Sequence, residues 1–187
     1  MTADESRWPR AELSRVRRLE LDTALGILGI TDPDNLGLED GTLPDVDPPG
    51  PVELLAAAIE RVSPDTVITF GPDGMTGHPD HMTTSAWTSQ ALALADTDAT
   101  LLWATKTPDW AATVPTINRE VFPDTPPPSA PASRVLTLTL DDATLERKVR
   151  ALEAHASQTT GIITAFGRER YAEWVCDEFF AVVDVTT

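Results

Sequence analysis

The sequence predicts an α/β sandwich with a mainly parallel sheet. Two short apolar runs, at residues 66–70 and 101–105, are typical of strands buried on both faces. Segments with helical periodicity alternate with these and further strand-like runs, which favours a sheet covered by helices. A glycine-rich loop follows the first apolar run, at the place where open α/β sheets bind ligands.

The first third of the chain predicts two helices separated by a loop. Apolar residues at helical spacing predict a helix over residues 10–28, and Gly29 suits its C-terminal end. Turn-forming residues fill positions 31–51, which we expect to be mostly loop. A second helix is predicted over residues 52–62, because a proline precedes it and another follows it.

The middle of the chain predicts two buried strands joined by a loop and a helix. The nearly all-apolar run 66–70 leads into the loop 71–77, and a helix is predicted over residues 79–95 with proline at its first position. Residues 101–105 form the next apolar run, and a weak helical pattern follows over residues 108–118.

The last third predicts two further strands with helices between them. Alternation over residues 134–140 predicts a strand. Asp141 or Asp142 is predicted to cap a helix that runs to about residue 157. A short helix is then expected over residues 168–175, and a last strand over residues 178–185.

Composition excludes several classes of protein. A chain of 187 residues with 41% apolar residues predicts one domain over residues 1–187 with a sizeable core. A net charge of −16 disfavours binding to nucleic acid or to an anionic membrane. The single cysteine excludes an intramolecular disulfide framework, and the sequence shows no signal peptide, so we expect a cytoplasmic protein. The proline-rich stretch 123–131 predicts an extended surface loop.

Two histidines at a helix start make the segment after the first strand the most informative one. His78 and His81 are three residues apart, so both can face the same side of the first helical turn. Imidazole is a common zinc ligand, and a catalytic zinc usually has three protein ligands and a water. On spacing alone, a metal site and two unrelated histidines beside an acidic first turn remain alternatives.

The segment GMTGHPDH, which follows a hydrophobic strand, resembles the third motif of the PIG-L/LmbE zinc-dependent deacetylases. Further stretches resemble other motifs of that family in the same order, at residues 17–29, 38–43, 148–158 and 178–180. The resemblance implies a Rossmann-like three-layer sandwich. It also implies a hydrolase that removes acetyl groups from an N-acetylated amino sugar or a related amide, with zinc as cofactor and a small molecule as partner.

By position, the resemblance implies roles for residues of the histidine segment. His81 would be a metal ligand. His78 would be the catalytic histidine that stabilises the developing oxyanion or protonates the leaving amine. Asp80 would support this site, either by stabilising the helix N-terminus or by orienting a histidine.

The resemblance also implies roles for three residues elsewhere in the chain. Arg17 and Asp40 match positions that contact the sugar in the family, so they are candidate substrate-binding residues. His155 would support the site. Each has a structural alternative: Arg17 as a solvated helix charge, Asp40 as a turn former with Gly41, and His155 as a partner of nearby loop backbone.

The family's opening motif, with the pattern P-H-P-D-D-E, has no counterpart in this sequence. In the family that motif supplies the other two zinc ligands and the general base. The resemblance therefore implies that the first strand–helix–strand unit is missing, which would weaken zinc binding and could leave this chain inactive. Loss of a central strand would also expose sheet edges, which invites aggregation or pairing with another chain, so a homo-oligomer is one possible outcome.

Three explanations of that gap stay open. The start codon could be assigned too far downstream, which we favour. The chain could instead be a degenerate, non-catalytic domain that binds sugars or a protein, or acidic residues such as Asp73 could replace the absent ligands. An unrelated nucleotide-binding protein is the poorer alternative, because the loop 71–77 lacks the glycine and lysine patterns of phosphate-binding loops.

Overall fold

A computed structural model of the protein describes residues 9–113, 117–118 and 135–183. The chain divides into two compact units. Unit one comprises Met1–Asp34, Thr116–Val121 and Thr139–Glu178, and unit two comprises Asn35–Pro115, Phe122–Leu138 and Phe179–Thr187. The single domain expected over residues 1–187 stays a prediction.

The described elements alternate as the sequence predicts. The helices are α1 (Arg10–Leu28), α2 (Pro49–Val62), α3 (Gly74–Gly77), α4 (Pro79–Leu94), α5 (Pro108–Thr113), α6 (Asp142–Ala154), α7 (Ala156–Phe166) and α8 (Arg168–Trp174). The strands are β1 (Thr66–Phe70), β2 (Thr100–Ala104), β3 (Val135–Thr139) and β4 (Asp177–Val183). The α/β class is therefore confirmed.

The strands form a four-stranded sheet in the order β1-β2-β4-β3. Strands β1 and β2 are parallel, with Phe70 opposite Ala104, and β2 pairs with β4 in the antiparallel direction. Because β1 and β2 run the same way, the segments that follow them both leave from one end of the sheet. We call this end, at Phe70 and Ala104, the carboxyl edge.

The core of unit two lies between the sheet and two helices. Its buried side chains come from α2, α4 and β2: Val52, Ala56, Ile59, Trp87, Ala91, Leu92 and Leu101. Val67 and Trp103 pack against this cluster from the same face of the sheet. This packing fixes the direction in which α4 starts, and therefore the position of the two histidines at its first turn.

Unit one is built from α1, α6, α7 and α8. Helix α1 packs on α6 and α7, and α8 packs on the same two helices. Ala24, Val149 and Tyr171 are among the buried side chains. The indole nitrogen Nε1 of Trp174 donates a hydrogen bond to Oδ1 of Asn118 at 2.9 Å, which ties α8 to the short segment 117–118.

The structure corrects one prediction about β1. The sequence predicts a strand buried on both faces, but Ile68 is 57% exposed. Strand β1 is at the end of the strand order. Val67, the residue before Ile68, faces the core, so the alternation of side chains along a strand turns Ile68 to the opposite face. An apolar run cannot distinguish this arrangement from full burial.

Other differences concern helix boundaries. Helix α2 begins at Pro49, before the predicted residue 52. The helix predicted to reach residue 157 ends at Ala154, because His155 leaves the helical region with ψ of 50°, and the unpredicted helix α7 follows.

The proline-rich stretch 123–131 lies outside the described residues. Among the residues that the structure describes, no helix is both long and apolar enough to cross a bilayer.

Candidate functional site

A tight turn follows β1 at the carboxyl edge and leads into α4. The amide of Gly74 donates to the carbonyl oxygen of Gly71 at 2.8 Å, and the amide of Gly77 donates to that of Asp73 at 3.0 Å. The side chain of Asp73 accepts a further hydrogen bond from the amide of Met75 at 2.7 Å. Backbone and side chain therefore define the path of residues 71–77 together.

Gly74 allows this turn to lie directly on α4. Its φ is +64°, and a Cβ atom at this position would lie 2.9 Å from Cγ of Met82 and 3.2 Å from Cβ of His81. The next residue, Met75, also has a positive φ of 61°. Gly74 is therefore required for two reasons: its positive φ favours glycine, and a side chain would collide with α4.

His81 is held on two sides. Its ring stacks on Phe70, with centroids 4.0 Å apart and an angle of 2° between the ring planes. Its Nδ1 lies 3.0 Å from the carbonyl oxygen of Gly74. Oγ1 of Thr76 lies farther from the same nitrogen, at 3.5 Å. Because a carbonyl oxygen can only accept, the shorter contact favours a proton on Nδ1, which leaves the lone pair of a neutral ring on Nε2. His81 could therefore bind a metal ion through Nε2.

His78 is held in the opposite way. It is the N-cap residue of α4, and its Nδ1 accepts a hydrogen bond from the amide of Asp80 at 3.2 Å. Nδ1 is then the acceptor, so a neutral ring carries its proton on Nε2. The two rings are neighbours, with centroids 4.9 Å apart. The site therefore presents one Nε2 lone pair, from His81, and one Nε2–H donor, from His78.

Asp80 joins the predicted substrate loop to the histidine helix. Its side chain is buried, and its Oδ2 accepts from the amide of Gly41 at 2.6 Å while Oδ1 accepts from the amide of Leu43 at 3.2 Å. Asp40 directly precedes Gly41. The carboxylate of Asp80 thus fixes the loop on which Asp40 lies, a contact that the sequence did not indicate. The supporting role of Asp80 in the site stays a prediction.

Lys106 is a residue of this site that the sequence analysis missed. It follows β2 at the carboxyl edge, and its Nζ donates a hydrogen bond to the carbonyl oxygen of Met75 at 2.7 Å. Burial lowers the pKa of Lys106, and the nearby carboxylate of Asp73 opposes that shift. The only signal in the sequence is a lysine shortly after a buried strand, which is too common to be informative.

Arg17 and His155 lie in unit one. Arg17 is on α1 and half-buried, and His155 lies between α6 and α7. The carbonyl oxygen of His155 accepts hydrogen bonds from the amides of Gln158 and Thr159 at 2.8 and 3.0 Å. That Arg17 and His155 belong to the same site as His78 and His81 stays a prediction.

A carboxylate on α1 accepts hydrogen bonds from the first turn of helix α7. Glu20 accepts two hydrogen bonds from Ser157, one from the amide at 2.6 Å and one from the hydroxyl at 2.7 Å. His155 precedes α7 but makes no side-chain capping hydrogen bond to it. Glu20 therefore fixes the place where α7 starts.

The donors of a complete zinc site are not brought together in the described part of the chain. There, no group of three or more His, Cys, Asp and Glu side chains has an arrangement that could hold a metal ion. His81 is suited to be one ligand, as its ring geometry indicates. Zinc as cofactor is therefore a proposal.

Sequence comparison identifies relatives with a named activity. Residues 1–92 match the model of the PIG-L family, described as GlcNAc-PI de-N-acetylase. The 1D-myo-inositol 2-acetamido-2-deoxy-alpha-D-glucopyranoside deacetylase of Corynebacterium diphtheriae is 36% identical over 112 residues, which cover 57% of this chain and 38% of that protein. The probable N-acetyl-alpha-D-glucosaminyl L-malate deacetylase 2 of Bacillus anthracis is 30% identical over 161 residues, which cover 86% of this chain and 63% of that protein.

Solved structures share the fold. The A40926 pseudoaglycone deacetylase Dbv21 superimposes with a TM-score of 0.62 at 18% identity, covering 100% of this chain and 80% of that one. The conserved protein TT1542 of Thermus thermophilus superimposes with a TM-score of 0.58 at 22% identity, covering 91% of this chain and 73% of that one.

The chain spans 38% to 63% of the length of the two curated relatives described above. Its motifs and the match over residues 1–92 make the chain similar to the PIG-L family, and the curated relatives are named as deacetylases.

Proposed function

We propose that the protein is a zinc-dependent N-deacetylase that acts on an N-acetylated amino sugar or a related amide. The curated relatives are named as deacetylases of acetamido-glucose compounds, which supports both the reaction and the substrate class. The observation that favours it most within this chain is the pair of histidines with opposite Nε2 states at the carboxyl edge.

The chemistry proposed for His78 follows from its hydrogen bonding. With Nδ1 occupied by the amide of Asp80, its Nε2–H group is the donor available to a substrate. Hydrolysis of an amide places negative charge on the carbonyl oxygen, and a donor aimed at that oxygen stabilises the charge. The same nitrogen could then deliver a proton to the leaving amine, which is general acid catalysis.

The substrate would be held by the loop that Asp80 fixes. Asp40 is next to an amide that is anchored on α4, so its distance from the histidines is restricted by two backbone contacts. A carboxylate in that position suits the hydroxyl groups of a sugar, which are hydrogen-bond donors. Arg17 is proposed as a second substrate-binding residue and His155 as a supporting one.

The zinc part of the proposal rests on family resemblance and on His81. A catalytic zinc usually has three protein ligands, and the residues described here do not bring three together. They therefore do not make a complete zinc site, and we assign no step of the reaction to a metal ion.

The proposal is tested by measuring bound zinc and the release of free amine from N-acetylglucosamine derivatives. His81→Ala should lose zinc, because it removes a ligand. His78→Ala should retain zinc but lose about 10²–10⁴-fold in turnover, the usual contribution of a general acid. Asp45→Asn, an exposed change close to the Asp40 loop, serves as the control. Unchanged zinc content in His81→Ala would contradict the ligand assignment.

One alternative function is a non-catalytic domain that binds sugars or a protein partner, for which the described residues would not need to supply a complete set of zinc ligands. In that case the protein would neither bind zinc nor turn over substrate. It would still bind an N-acetylglucosamine ligand saturably if sugars are its target, and Asp40→Ala would weaken that binding. A homo-oligomer, which the sequence leaves open, is also a proposal and is testable by sedimentation.

A further inference from the structure

We infer that Lys106 is a positioning residue, which sets the orientation of the His81 ring by holding the turn formed by residues 74–77. The importance of this orientation for catalysis rests on the proposed function. The structural effect does not, since it concerns contacts that exist without metal or substrate.

Topology brings Lys106 to this turn. Strands β1 and β2 are parallel and Phe70 lies opposite Ala104, so the segments after them start side by side. The turn belongs to the first segment and Lys106 to the second. Its ammonium group reaches across and donates to the carbonyl oxygen of Met75 at 2.7 Å. A hydrogen bond from a charged donor is stronger than one between neutral groups, particularly where water is partly excluded.

The turn needs such a contact because its backbone is strained. Met75 has φ of 61° and ψ of −40°, in a region that residues with a side chain rarely occupy. A conformation of this kind costs about 1–3 kcal/mol and persists only where the surroundings enforce it. Within the described part of the chain, polar side chains contact the backbone of Met75 on both sides: Asp73 accepts from its amide, and Lys106 donates to its carbonyl.

The neighbouring carbonyl transmits this restraint to the histidine. The carbonyl oxygen of Gly74 belongs to the peptide that precedes Met75, and it accepts from Nδ1 of His81 at 3.0 Å. Rotation about φ of Met75 changes the angle between this peptide and the one that Lys106 holds. Gly74 already lies against α4, so a shift toward the helix is blocked by Met82 and His81. If the Lys106 contact is lost, the Gly74 carbonyl is expected to turn away from His81.

The partial burial of Lys106 agrees with this role. Desolvation lowers its pKa, which shows that its location is unfavourable for a charge, while the carboxylate of Asp73 favours the charged form. Asp73 accepts from the Met75 amide in the same turn. The positive and negative side chains thus hold opposite ends of one residue.

The experiment measures the tautomer of His81 in metal-free protein. The chain has three histidines, so long-range proton–nitrogen correlation spectra of the imidazole rings can be assigned with one variant per histidine. In the parent protein we expect His81 to show the pattern of a ring protonated at Nδ1. Lys106→Met should lose that dominant pattern in favour of a mixture of tautomers, and Lys106→Arg, which keeps a cationic donor, should restore it.

Lys148 offers a matched control in unit one. Its Nζ also donates to a backbone carbonyl, that of Val175, at 2.6 Å. Lys148 also forms an ion pair with Glu178 at 2.6 Å. Lys148→Met therefore removes both a backbone contact and an ion pair, and it should still leave the His81 spectrum unchanged. An equal change in Lys148→Met would show a general loss of order and would overturn the inference.

An unchanged Nδ1 pattern in Lys106→Met would also overturn it. If circular dichroism shows that Lys106→Met is unfolded, Lys106→Gln provides the same test, since its polar head suits a half-buried position but is too short to reach Met75. The spectra are recorded without zinc or substrate, so this test is independent of catalysis. If the protein lacks deacetylase activity but Lys106→Met changes the tautomer of His81, the proposed function is contradicted and this inference is supported.

Discussion

The carboxylate of Asp80 accepts a hydrogen bond from the backbone amide of Gly41 at 2.6 Å, although the two residues are 39 positions apart in the sequence. Its second oxygen accepts from the amide of Leu43 at 3.2 Å. A segment rich in turn-forming residues is thereby attached to the first turn of α4. Because Asp80 also donates its own amide to His78, one residue joins the Asp40 loop and the histidine pair.

Asp80→Ala is expected to destabilise the fold and release the Asp40 loop. It leaves two backbone donors without their acceptor. Gly41 is exposed and Leu43 half-buried, so water can partly replace the carboxylate and the cost should be about 1 kcal/mol. Urea denaturation would measure the loss of stability, and amide hydrogen exchange would show faster exchange at Gly41 and Leu43. Asp45→Asn, which changes an exposed carboxylate nearby, should alter neither quantity. Preserved protection of both amides in Asp80→Ala would contradict this account.

Substitution of two glycines is expected to have opposite effects. Gly74→Ala places a Cβ atom 2.9 Å from Met82 Cγ at a φ of +64°, so it should destabilise the protein by at least about 1 kcal/mol. Gly26 lies within α1, and a Cβ atom added there would meet no atom within 4 Å, so Gly26→Ala should stabilise by about 0.5–1 kcal/mol through helix propensity. Equal effects in denaturation experiments would show that the contact at Gly74 is unimportant.

The contact between Glu20 and Ser157 is expected to contribute a measurable coupling energy. Glu20→Gln weakens both hydrogen bonds, and Ser157→Ala removes the one from the hydroxyl group. Loss of a helix N-cap costs about 0.5–2 kcal/mol, so each single variant should fall in this range. In a double-mutant cycle by urea denaturation, the two changes should be less than additive, because they remove a shared contact. Strict additivity would mean that the two side chains act independently.

Cys176 is expected to react slowly with thiol reagents at neutral pH. Burial raises the pKa of its thiol, and the negative charge of Asp177 raises it further. Since the thiolate is the reactive form, a higher pKa leaves less of it at a given pH, and the reaction rate should still be rising above the ordinary thiol pKa of about 8.5. Asp177→Asn should accelerate the reaction by removing that charge, while Cys176→Ser should abolish it. A rate profile that levels off below about pH 8.5, the ordinary thiol pKa, would contradict the raised pKa.

Local patterns predicted most of the elements because their causes are local. Strand β1 was predicted over the residues that form it, and α4 was predicted with one extra residue, since apolar runs and prolines act on their immediate neighbours. The break at His155 was not predicted. No residue there is a strong helix breaker, and α7 starts where Glu20, far away in the sequence, accepts from Ser157.

In the candidate site, too, local sequence predicts some features and contacts between distant segments decide others. The sequence around His78 and His81 correctly places both histidines just after β1, and together with four further stretches it predicts the resemblance to PIG-L/LmbE proteins. It could not predict which nitrogen of each ring carries the proton. That depends on Gly74 and Asp80, whose backbone groups become partners only once the turn and α4 have their final geometry.

The sequence by itself determined the α/β class, the order of the main elements and the location of the histidine pair, because these follow from periodicity, from turn-forming residues and from short motifs. The tertiary structure decided the exposure of Ile68, the attachment of the Asp40 loop through Asp80, and the contact of Lys106 with Met75. Each of these depends on segments that meet only after the chain has folded. A hydrogen bond between residues 31 or 39 positions apart leaves no periodic trace in either segment.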